Sequence, residues 1–243
     1  MTGFTEDTFL NGRVRLSQRV RGFRSGLDAV ILAAAVPASA GDEILELGAG
    51  SGAGSLCLAA RVPGCQILGV EIDPALAQLA NDNAAANGLG KRVRFAAADV
   101  FDLPKPLRRS FDHVFCNPPF HGTEGARPPE ARRARALHDE GRLPDWLAAG
   151  VKRTASGGTF TAILRADRLR ESLGVLPELG VSVLPLWPKK HEPAKRVILS
   201  VHKSSRAPLK LLPGLVLHEK GGGYTPDADA ILRRDGRALA LEA

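Results

Sequence analysis

The stretch Glu43-Ile44-Leu45-Glu46-Leu47-Gly48-Ala49-Gly50-Ser51-Gly52 predicts a short buried strand that runs into a glycine-rich turn. A helical pattern follows from Ala53 to Arg61. Glycines allow the backbone of such a turn to approach a ligand closely, although many glycine turns only connect a strand to a helix. The stretch therefore predicts an α/β unit with a candidate nucleoside site, and residues further along the chain are needed to identify the ligand.

Acidic residues end the next two predicted strands. The strand at 66–70 is followed by Glu71, and the strand at 93–97 is followed by Asp99. Strands that alternate with helices predict a mostly parallel sheet with helices on both faces. Ligands of such sheets bind at the carboxyl ends of the strands, and a carboxylate about 20 residues after the glycine turn can bind ribose hydroxyls.

Two features favour a methyl donor over a dinucleotide as the ligand. Glu46 precedes the turn, and a carboxylate suits the ammonium group of an amino-acid moiety better than a pyrophosphate. Asp99 is placed to accept a hydrogen bond from an adenine amino group, and Ile72 is expected to pack on the adenine face. The predicted cofactor-binding residues at these strand ends are Glu46, Gly48, Gly50, Gly52, Glu71, Ile72, Asp99, Val100 and Asn117.

The strand at 111–116 runs into Asn117-Pro118-Pro119-Phe120, a turn that the two prolines make rigid. If the Asn117 side-chain oxygen and the Pro118 carbonyl accept the two hydrogens of a planar NH2 group, its nitrogen can pyramidalise and attack an electrophile. The ring of Phe120 is expected to stack on the target. The predicted chemistry is amino methylation, with Asn117, Pro118, Pro119 and Phe120 as the catalytic residues.

Composition excludes several other classes of protein. The chain has 243 residues, with 33 Lys and Arg against 26 Asp and Glu, and this charge excess supports only an attraction to polyanions. Three scattered cysteines suit a reducing compartment, and neither they nor the six histidines show metal-ligand spacing. The acidic start lacks a signal-peptide core, and the longest apolar run, 29–36, is too short to cross a bilayer. We therefore expect a cytoplasmic protein without a metal or a membrane segment.

Three basic stretches are candidates for contacts with RNA phosphates, at 13–24, 127–135 and 189–206. The second falls in residues 121–143, which show little periodicity. The alternative for each stretch is a solvated surface. The predicted RNA-binding residues are Arg13, Arg15, Arg127, Arg132, Arg133, Lys189, Lys190 and Lys195. Ser25 and Asp28 also match a capping box, with Ser25 as the cap of the helix that follows.

The motifs at the strand ends resemble those of class I S-adenosylmethionine-dependent methyltransferases that modify amino nitrogens; they comprise residues 46–52, Glu71, Asp99 and 117–120. The likeness extends to segments 9–18, 22–28 and 212–225, which are similar to the bacterial tRNA(Val) adenine-N6 methyltransferase family. It covers nearly the whole chain. Phe120 stands where many members have tyrosine, so stacking is kept and a hydroxyl is lost.

The resemblance implies a Rossmann-like class I methyltransferase fold with a seven-stranded, mostly parallel sheet, helices on both faces and a short N-terminal extension. Its last strand, 196–202, is expected to be antiparallel and to lie at the edge of the sheet. The implied cofactor is S-adenosylmethionine, with Arg24 and Ser25 added to the cofactor-binding residues. The implied reaction is methylation of adenine N6 beside the anticodon of a tRNA. We expect one domain, in which residues 1–40 cover cofactor and substrate, 41–203 form the core and 204–243 are an appendage.

Other interpretations stay open. The turn at residues 117–120 (the clamp) would equally accept a glutamine amide of a protein, methylated at N5, or the N2 amino group of a guanine in ribosomal RNA. A nicotinamide-dependent oxidoreductase would use the glycine turn and Glu71, but it leaves residues 117–120 without a role. A non-catalytic RNA-binding module on the same scaffold is disfavoured by the presence of Glu46, Asp99 and Asn117. The sequence does not predict the oligomeric state.

Overall fold

The computed structural model describes residues 3–21, 24–119, 142–234 and 236–241. The strands are β1 (Phe4–Phe9), β2 (Val14–Arg19), β3 (Glu43–Leu47), β4 (Gln66–Glu71), β5 (Val93–Ala97), β6 (Phe111–Cys116), β7 (Thr154–Arg165), β8 (Val181–Lys189), β9 (Arg196–His202), β10 (Lys210–Leu211) and β11 (Leu215–His218). The α-helices are α1 (Leu27–Ala35), α2 (Ala53–Arg61), α3 (Pro74–Ala86), α4 (Leu143–Arg153), α5 (Leu169–Leu173) and α6 (Pro226–Asp229). Within these ranges, no helix combines the length and the apolar character needed to span a bilayer.

Among the described residues, nine strands form the main sheet, in the order β10-β8-β9-β7-β6-β3-β4-β5, with β11 also on β8. Strands β3 to β8 run in one direction, and β9 lies antiparallel between β7 and β8. The predicted mostly parallel α/β sheet is confirmed. Its seven predicted strands are β3 to β9, and β10 and β11 are two short additions from the tail.

The expected edge position of residues 196–202 is wrong, because β9 pairs with a neighbour on each side. The reason lies in its side chains. Ile198 packs into the hydrophobic cluster on one face of the sheet, and Val197 and Leu199 pack into the cluster on the other face. A strand that is apolar on both faces is stable in the interior of a sheet, where helices cover both sides.

Helices cover both faces of the sheet because successive side chains of the central strands point to opposite faces and both sets are largely apolar. In β3, Ile44 packs with α1, α2 and α3, while Leu45 and Leu47 pack with α4. Glu46 alternates with Leu45 and Leu47 and therefore shares the face of Ile44. This alternation directs the Glu46 side chain toward α2.

The N-terminal segment attaches to the sheet through α3. Strands β1 and β2 form an antiparallel hairpin. The side-chain amide of Asn83 makes two hydrogen bonds with the backbone of Ser17, and that of Asn87 makes two with the backbone of Arg15. Two asparagines one helical turn apart therefore bind the backbone N–H and C=O groups of alternate residues along one edge of β2.

The predicted capping box at the start of α1 is not formed. Gly26 precedes the helix, and no described side chain caps it. Asp28 instead accepts a hydrogen bond from Arg196 Nε at 3.2 Å. An ion pair with a residue of β9 has replaced the local interaction, and it ties the first turn of α1 to the sheet.

Candidate active site

The carboxyl ends of β3, β4, β5 and β6 lie side by side because these strands are parallel and paired in register. Glu46, Glu71, Asp99 and Asn117 stand at or just after the four ends. Neighbouring strands are about 4.8 Å apart, so the four residues are spread over roughly 15 Å of one sheet edge. Open α/β sheets bind ligands at this edge, which we call the site edge.

The glycine turn between β3 and α2 has an open side at Gly50. The backbone φ is +71° at Gly48, +57° at Gly50 and +90° at Gly52, values that favour glycine. A β-carbon placed on Gly48 would lie 2.7 Å from the Trp146 ring, and one on Gly52 would lie 2.8 Å from the Phe95 ring. One placed on Gly50 has no described atom within 4 Å. The turn is therefore packed at both ends and faces open space at its centre.

Glu46 is buried, with 5% of its surface exposed. Its Oε2 accepts hydrogen bonds from the backbone N–H of Ser55 at 3.0 Å and from the Ser55 hydroxyl at 2.5 Å. Burial raises the pKa of Glu46 to about 7, while the Ser55 hydrogen bonds lower it and the charge of Glu71 raises it further. The carboxyl group is therefore only partly charged at neutral pH, and a cationic group beside it would favour the charged form.

Glu71 ties the end of β4 to the glycine turn. Its Oε2 accepts from the N–H of Gly50 at 3.0 Å, and its Oε1 accepts from the N–H of Asp73 at 3.0 Å. Each carboxylate oxygen has a further lone pair, so Glu71 can accept from ligand hydroxyls without leaving its place. The next residue, Ile72, is 52% exposed and provides an apolar surface beside the carboxylate.

Asp99 and Val100 follow β5 and are half-buried. Asp99 Oδ1 accepts from the N–H of Phe101 at 2.9 Å, which holds the carboxylate in the turn after the strand. The Phe101 ring meets Trp146 edge to face, with ring centroids 5.6 Å apart, and the Arg142 guanidinium lies 3.5 Å from the centroid of the same ring. These contacts join the end of β5 to the first turn of α4.

Asn117 stands beside the glycine turn, because the residue before it, Cys116, pairs with Leu47 of β3. Its side-chain Oδ1 is buried and has no hydrogen-bond partner among the described atoms. Leaving a buried acceptor unsatisfied costs about 1–3 kcal/mol, and such atoms in native structures call for an explanation. A ligand N–H would provide the missing partner.

Arg24 and Ser25 approach the glycine turn through the N-terminal hairpin. The N–H of Ser25 donates to Gln18 Oε1 at 2.8 Å, and the Ser51 hydroxyl in the turn donates to the same oxygen at 3.4 Å. The Arg24 guanidinium is paired with Asp7 at 2.6 Å. The Gln18 side chain thus bridges Ser25 and Ser51 of the turn, while Arg24 is paired with Asp7 of β1.

Three predicted RNA-binding lysines lie at the site edge. Strand β8 runs in the same direction as β6, so Lys189 ends it at this edge, and Lys190 and Lys195 lie in the turn that leads to β9. Lys190 and Lys195 are exposed. Three strand spacings, roughly 15 Å, separate β8 from β6. Contact of the three lysines with RNA stays a prediction.

Arg13 and Arg15 lie toward the opposite edge. Arg13 donates to the carbonyl of Ala60 at 2.7 Å, near the end of α2, which begins at the site edge and extends about 13 Å away from it. The backbone of Arg15 pairs with Asn87, just after α3. Their binding to RNA stays a prediction, and it would involve a part of the RNA distant from Asn117. The predicted residues Phe120, Arg127, Arg132 and Arg133 lie outside the described residues.

The sequence did not identify the residues that hold the site in place. Ser55 follows Gly54 in the first turn of α2, and only the structure shows that a β-carbon on Gly54 would collide with Glu46. Gln18 and Asn83 carried no local signal, because their partners come from distant parts of the chain. Among the described residues, no group of three or more His, Cys, Asp or Glu side chains could hold a metal ion.

The chain is similar to known proteins over most of its length. Residues 44–141 match the family described as "Methyltransferase domain". A Bacteroides fragilis protein named tRNA1(Val) (adenine(37)-N6)-methyltransferase is 30% identical over 184 residues, which cover 72% of this chain and 75% of that protein. A Porphyromonas gingivalis protein of the same name is 28% identical over 235 residues, 91% of each chain. The crystal structure of a predicted O-methyltransferase from Agrobacterium tumefaciens matches with a TM-score of 0.72 and 26% identity, over 88% of this chain and 99% of that one.

Proposed function

Because this chain belongs to the family of tRNA1(Val) (adenine(37)-N6)-methyltransferases, we propose that it methylates the N6 nitrogen of adenine 37 in the anticodon loop of a tRNA. The protein is a methyltransferase and its cofactor is S-adenosylmethionine. The family and the cofactor that the sequence motifs implied are therefore confirmed. The individual roles of the site residues are part of the proposal.

The observation that carries the proposal is the buried Oδ1 of Asn117, which has no hydrogen-bond partner among the described residues. An amino nitrogen on an aromatic base is a poor nucleophile, because its lone pair is delocalised into the ring. If Asn117 Oδ1 and the Pro118 carbonyl each accept one amino hydrogen, the lone pair becomes available for attack. After the nitrogen is methylated, its extra proton can leave to water, so the reaction requires no strong base.

The residues at the site edge fit the cofactor. When bound, S-adenosylmethionine supplies a methyl group on a positively charged sulfur. No described atom lies within 4 Å of a β-carbon placed on Gly50, which leaves space for a ligand. The partly charged carboxyl of Glu46 suits an ammonium group. The oxygens of Glu71 suit ribose hydroxyls, and Asp99 suits an adenine amino group. The remaining proposed cofactor contacts are Arg24, Ser25, Gly48, Gly52, Ile72, Val100 and Asn117.

A nitrogen acceptor fits this site better than an oxygen acceptor, although the matched Agrobacterium structure is titled a predicted O-methyltransferase. A hydroxyl group has one hydrogen to donate, whereas Asn117 and Pro118 offer two adjacent acceptors. Amino groups of adenine, guanine and glutamine all meet this requirement. Among the three, the names of the relatives favour adenine.

The proposed RNA surface begins at the lysines at the end of β8. Lys189, Lys190 and Lys195 lie on the same sheet edge as Asn117. RNA recognition of a single base usually splays that base out of a loop while basic side chains bind the flanking phosphates. A separation of roughly 15 Å is therefore suitable for a loop whose target base reaches Asn117.

We further propose that the chain works as one domain in the cytoplasm. Residues 1–40 would cover the cofactor and the substrate, 41–203 would form the core, and 204–243 would extend it. The hydrogen bonds between the hairpin and α3, and the pairing of β10 and β11 with β8, support a single unit. All three cysteines are free, which suits a reducing compartment.

The test is incubation with S-adenosylmethionine labelled in its methyl group and total tRNA, followed by digestion and nucleoside analysis. We expect the label in N6-methyladenosine, at the position beside the anticodon. Parallel incubations with ribosomal RNA and with cell protein serve as controls. Label in N2-methylguanosine would support the guanine alternative instead, and label only in protein would support the glutamine alternative.

A further inference from the structure

We propose that Gln18 and Asn83 are positioning residues of the cofactor site, and that the N-terminal hairpin acts through them to hold the glycine turn at Ser51. This inference rests on the proposed function, since it takes the turn to be part of the S-adenosylmethionine site. It assigns the hairpin a task at the cofactor, in addition to any contact with RNA.

Gln18 is 2% exposed and uses both ends of its amide. Its Oε1 accepts from the N–H of Ser25 at 2.8 Å and from the hydroxyl of Ser51 at 3.4 Å. Its Nε2 donates to Asp7 at 2.9 Å and to the carbonyl of Ser25 at 3.1 Å. One buried side chain therefore joins β1, the segment before α1 and the glycine turn. Because all its polar atoms have partners, the amide has one favoured orientation.

Asn83 fastens the same turn from the side of α3. It is 3% exposed, and its Oδ1 accepts from the N–H of Ser17 at 2.9 Å. Its Nδ2 donates to the carbonyl of Ser17 at 3.0 Å and to the carbonyl of Ser51 at 3.0 Å. Ser51 is thus bound by two buried amides, one at its hydroxyl and one at its carbonyl. It lies between Gly50, which faces open space, and Gly52.

Asn87 provides an internal control for this arrangement. It binds the backbone of Arg15 through two hydrogen bonds of 2.9 and 2.7 Å, just as Asn83 binds Ser17. In the part of the chain that the structure describes, Asn87 makes no hydrogen bond to the glycine turn. Both asparagines therefore hold the hairpin, but only Asn83 also holds the turn.

The experiment compares Asn83→Ala with Asn87→Ala, and adds Gln18→Met, which keeps the side-chain length and removes the hydrogen bonds. The measurements are the Kd for S-adenosylhomocysteine by calorimetry, the KM for S-adenosylmethionine, kcat and Tm. We expect Asn83→Ala and Gln18→Met to raise both cofactor constants by about tenfold with kcat changed less than about threefold, the pattern of lost cofactor binding. Asn87→Ala is expected to lower Tm while both constants stay within about twofold of wild type.

Each outcome decides between the two proposals. A wild-type protein that does not bind S-adenosylhomocysteine would contradict the proposed function itself. A wild type that binds it, with equal affinities for Asn83→Ala and Asn87→Ala, would overturn the role of the hairpin alone. If Gln18→Met does not fold, the asparagine pair is sufficient for the decision. Each variant loses two hydrogen bonds to the hairpin, and Asn83→Ala also loses the bond to Ser51.

Discussion

Glu46 and Ser55 are joined by two hydrogen bonds that converge on a single carboxylate oxygen, from the Ser55 N–H at 3.0 Å and from its hydroxyl at 2.5 Å. Ser55 lies in the first turn of α2, where backbone N–H groups favour a negative charge. Burial nevertheless dominates and raises the pKa of Glu46 to about 7. Folding stability and cofactor affinity should therefore both depend on the protonation of Glu46, in opposite directions.

The first prediction concerns stability against pH. A raised pKa means that the folded state holds the proton more tightly than the unfolded state, whose Glu46 pKa is near 4.5. The contribution of Glu46 to the free energy of unfolding is then greatest below pH 4.5 and falls as the pH rises to about 7. We expect a loss of roughly 3 kcal/mol in wild type relative to Glu46→Gln across this window. Urea unfolding of both proteins at several pH values measures the difference, and parallel curves would refute it.

The second prediction concerns cofactor affinity. The ammonium group of the cofactor favours the charged carboxylate, so binding should release a proton from Glu46. We expect the affinity for S-adenosylhomocysteine to rise between pH 5.5 and 7.5 by about tenfold more in wild type than in Glu46→Gln. Calorimetry in buffers of different ionisation enthalpy measures both the affinity and the proton release. Equal pH dependence in the two proteins would place the ammonium elsewhere.

The third prediction concerns the clamp at the end of β6. Asn117→Ala removes the acceptor for one amino hydrogen, so kcat should fall by about 10²–10³-fold. Asn117→Asp keeps an acceptor at the same position and should retain more activity than the alanine variant. Single-turnover methylation of tRNA at saturating cofactor measures the rate, and filter binding of the RNA serves as the control. An alanine variant with a wild-type rate would rule out this role of the amide.

The fourth prediction concerns the lysines beside β8. Replacing Lys189, Lys190 and Lys195 with alanine should weaken tRNA binding and reduce the slope of log Kd against log salt by roughly 2, because fewer counterions are released. Affinity for S-adenosylhomocysteine should not change. The matched control removes three exposed charges near the amino ends of the strands, Lys91, Arg94 and Lys152. An equal reduction of the slope in both triple variants would show that the effect is one of net charge.

The fifth prediction separates two glycines of the turn. A β-carbon on Gly52 would lie 2.8 Å from the Phe95 ring, so Gly52→Ala should lower the free energy of unfolding by about 2–4 kcal/mol. Gly50→Ala meets no described atom within 4 Å and should cost only about 1–2 kcal/mol of backbone strain. It should nevertheless weaken cofactor binding, because its methyl group projects into the open side of the turn. Denaturant unfolding and calorimetry of both variants test the contrast.

Local patterns in the sequence were sufficient to predict the parts of the site that lie within one strand and the turn after it. The helix predicted at residues 53–61 and the strand predicted at 93–97 have the same bounds in the structure. Asn117 likewise follows a buried strand, as residues 111–116 indicated, and the prolines after it predicted the rigid turn. These features depend on side-chain periodicity and on the fixed torsions of glycine and proline, which are properties of a few adjacent residues.

Those local patterns did not predict hydrogen-bond partners that lie far apart in the chain. The bonds from Gln18 to Ser51, from Asn83 to Ser17 and from Arg196 to Asp28 join residues 33, 66 and 168 positions apart. The capping box predicted at Asp28 depends only on residues next to it in the chain. In the folded chain Arg196 of β9 lies 3.2 Å from Asp28, so an ion pair is available and the local alternative is not adopted.

The sequence by itself determined the parallel α/β core, the glycine turn with its acidic neighbours and the amide at the end of β6, since each follows from residues that are adjacent in the chain. Only the tertiary structure decided that β9 lies inside the sheet, that Arg13 and Arg15 lie toward the far edge from Asn117, and that two buried amides hold Ser51. The physical reason is that strand order and hydrogen bonds between distant segments depend on which surfaces are buried together when the whole chain folds.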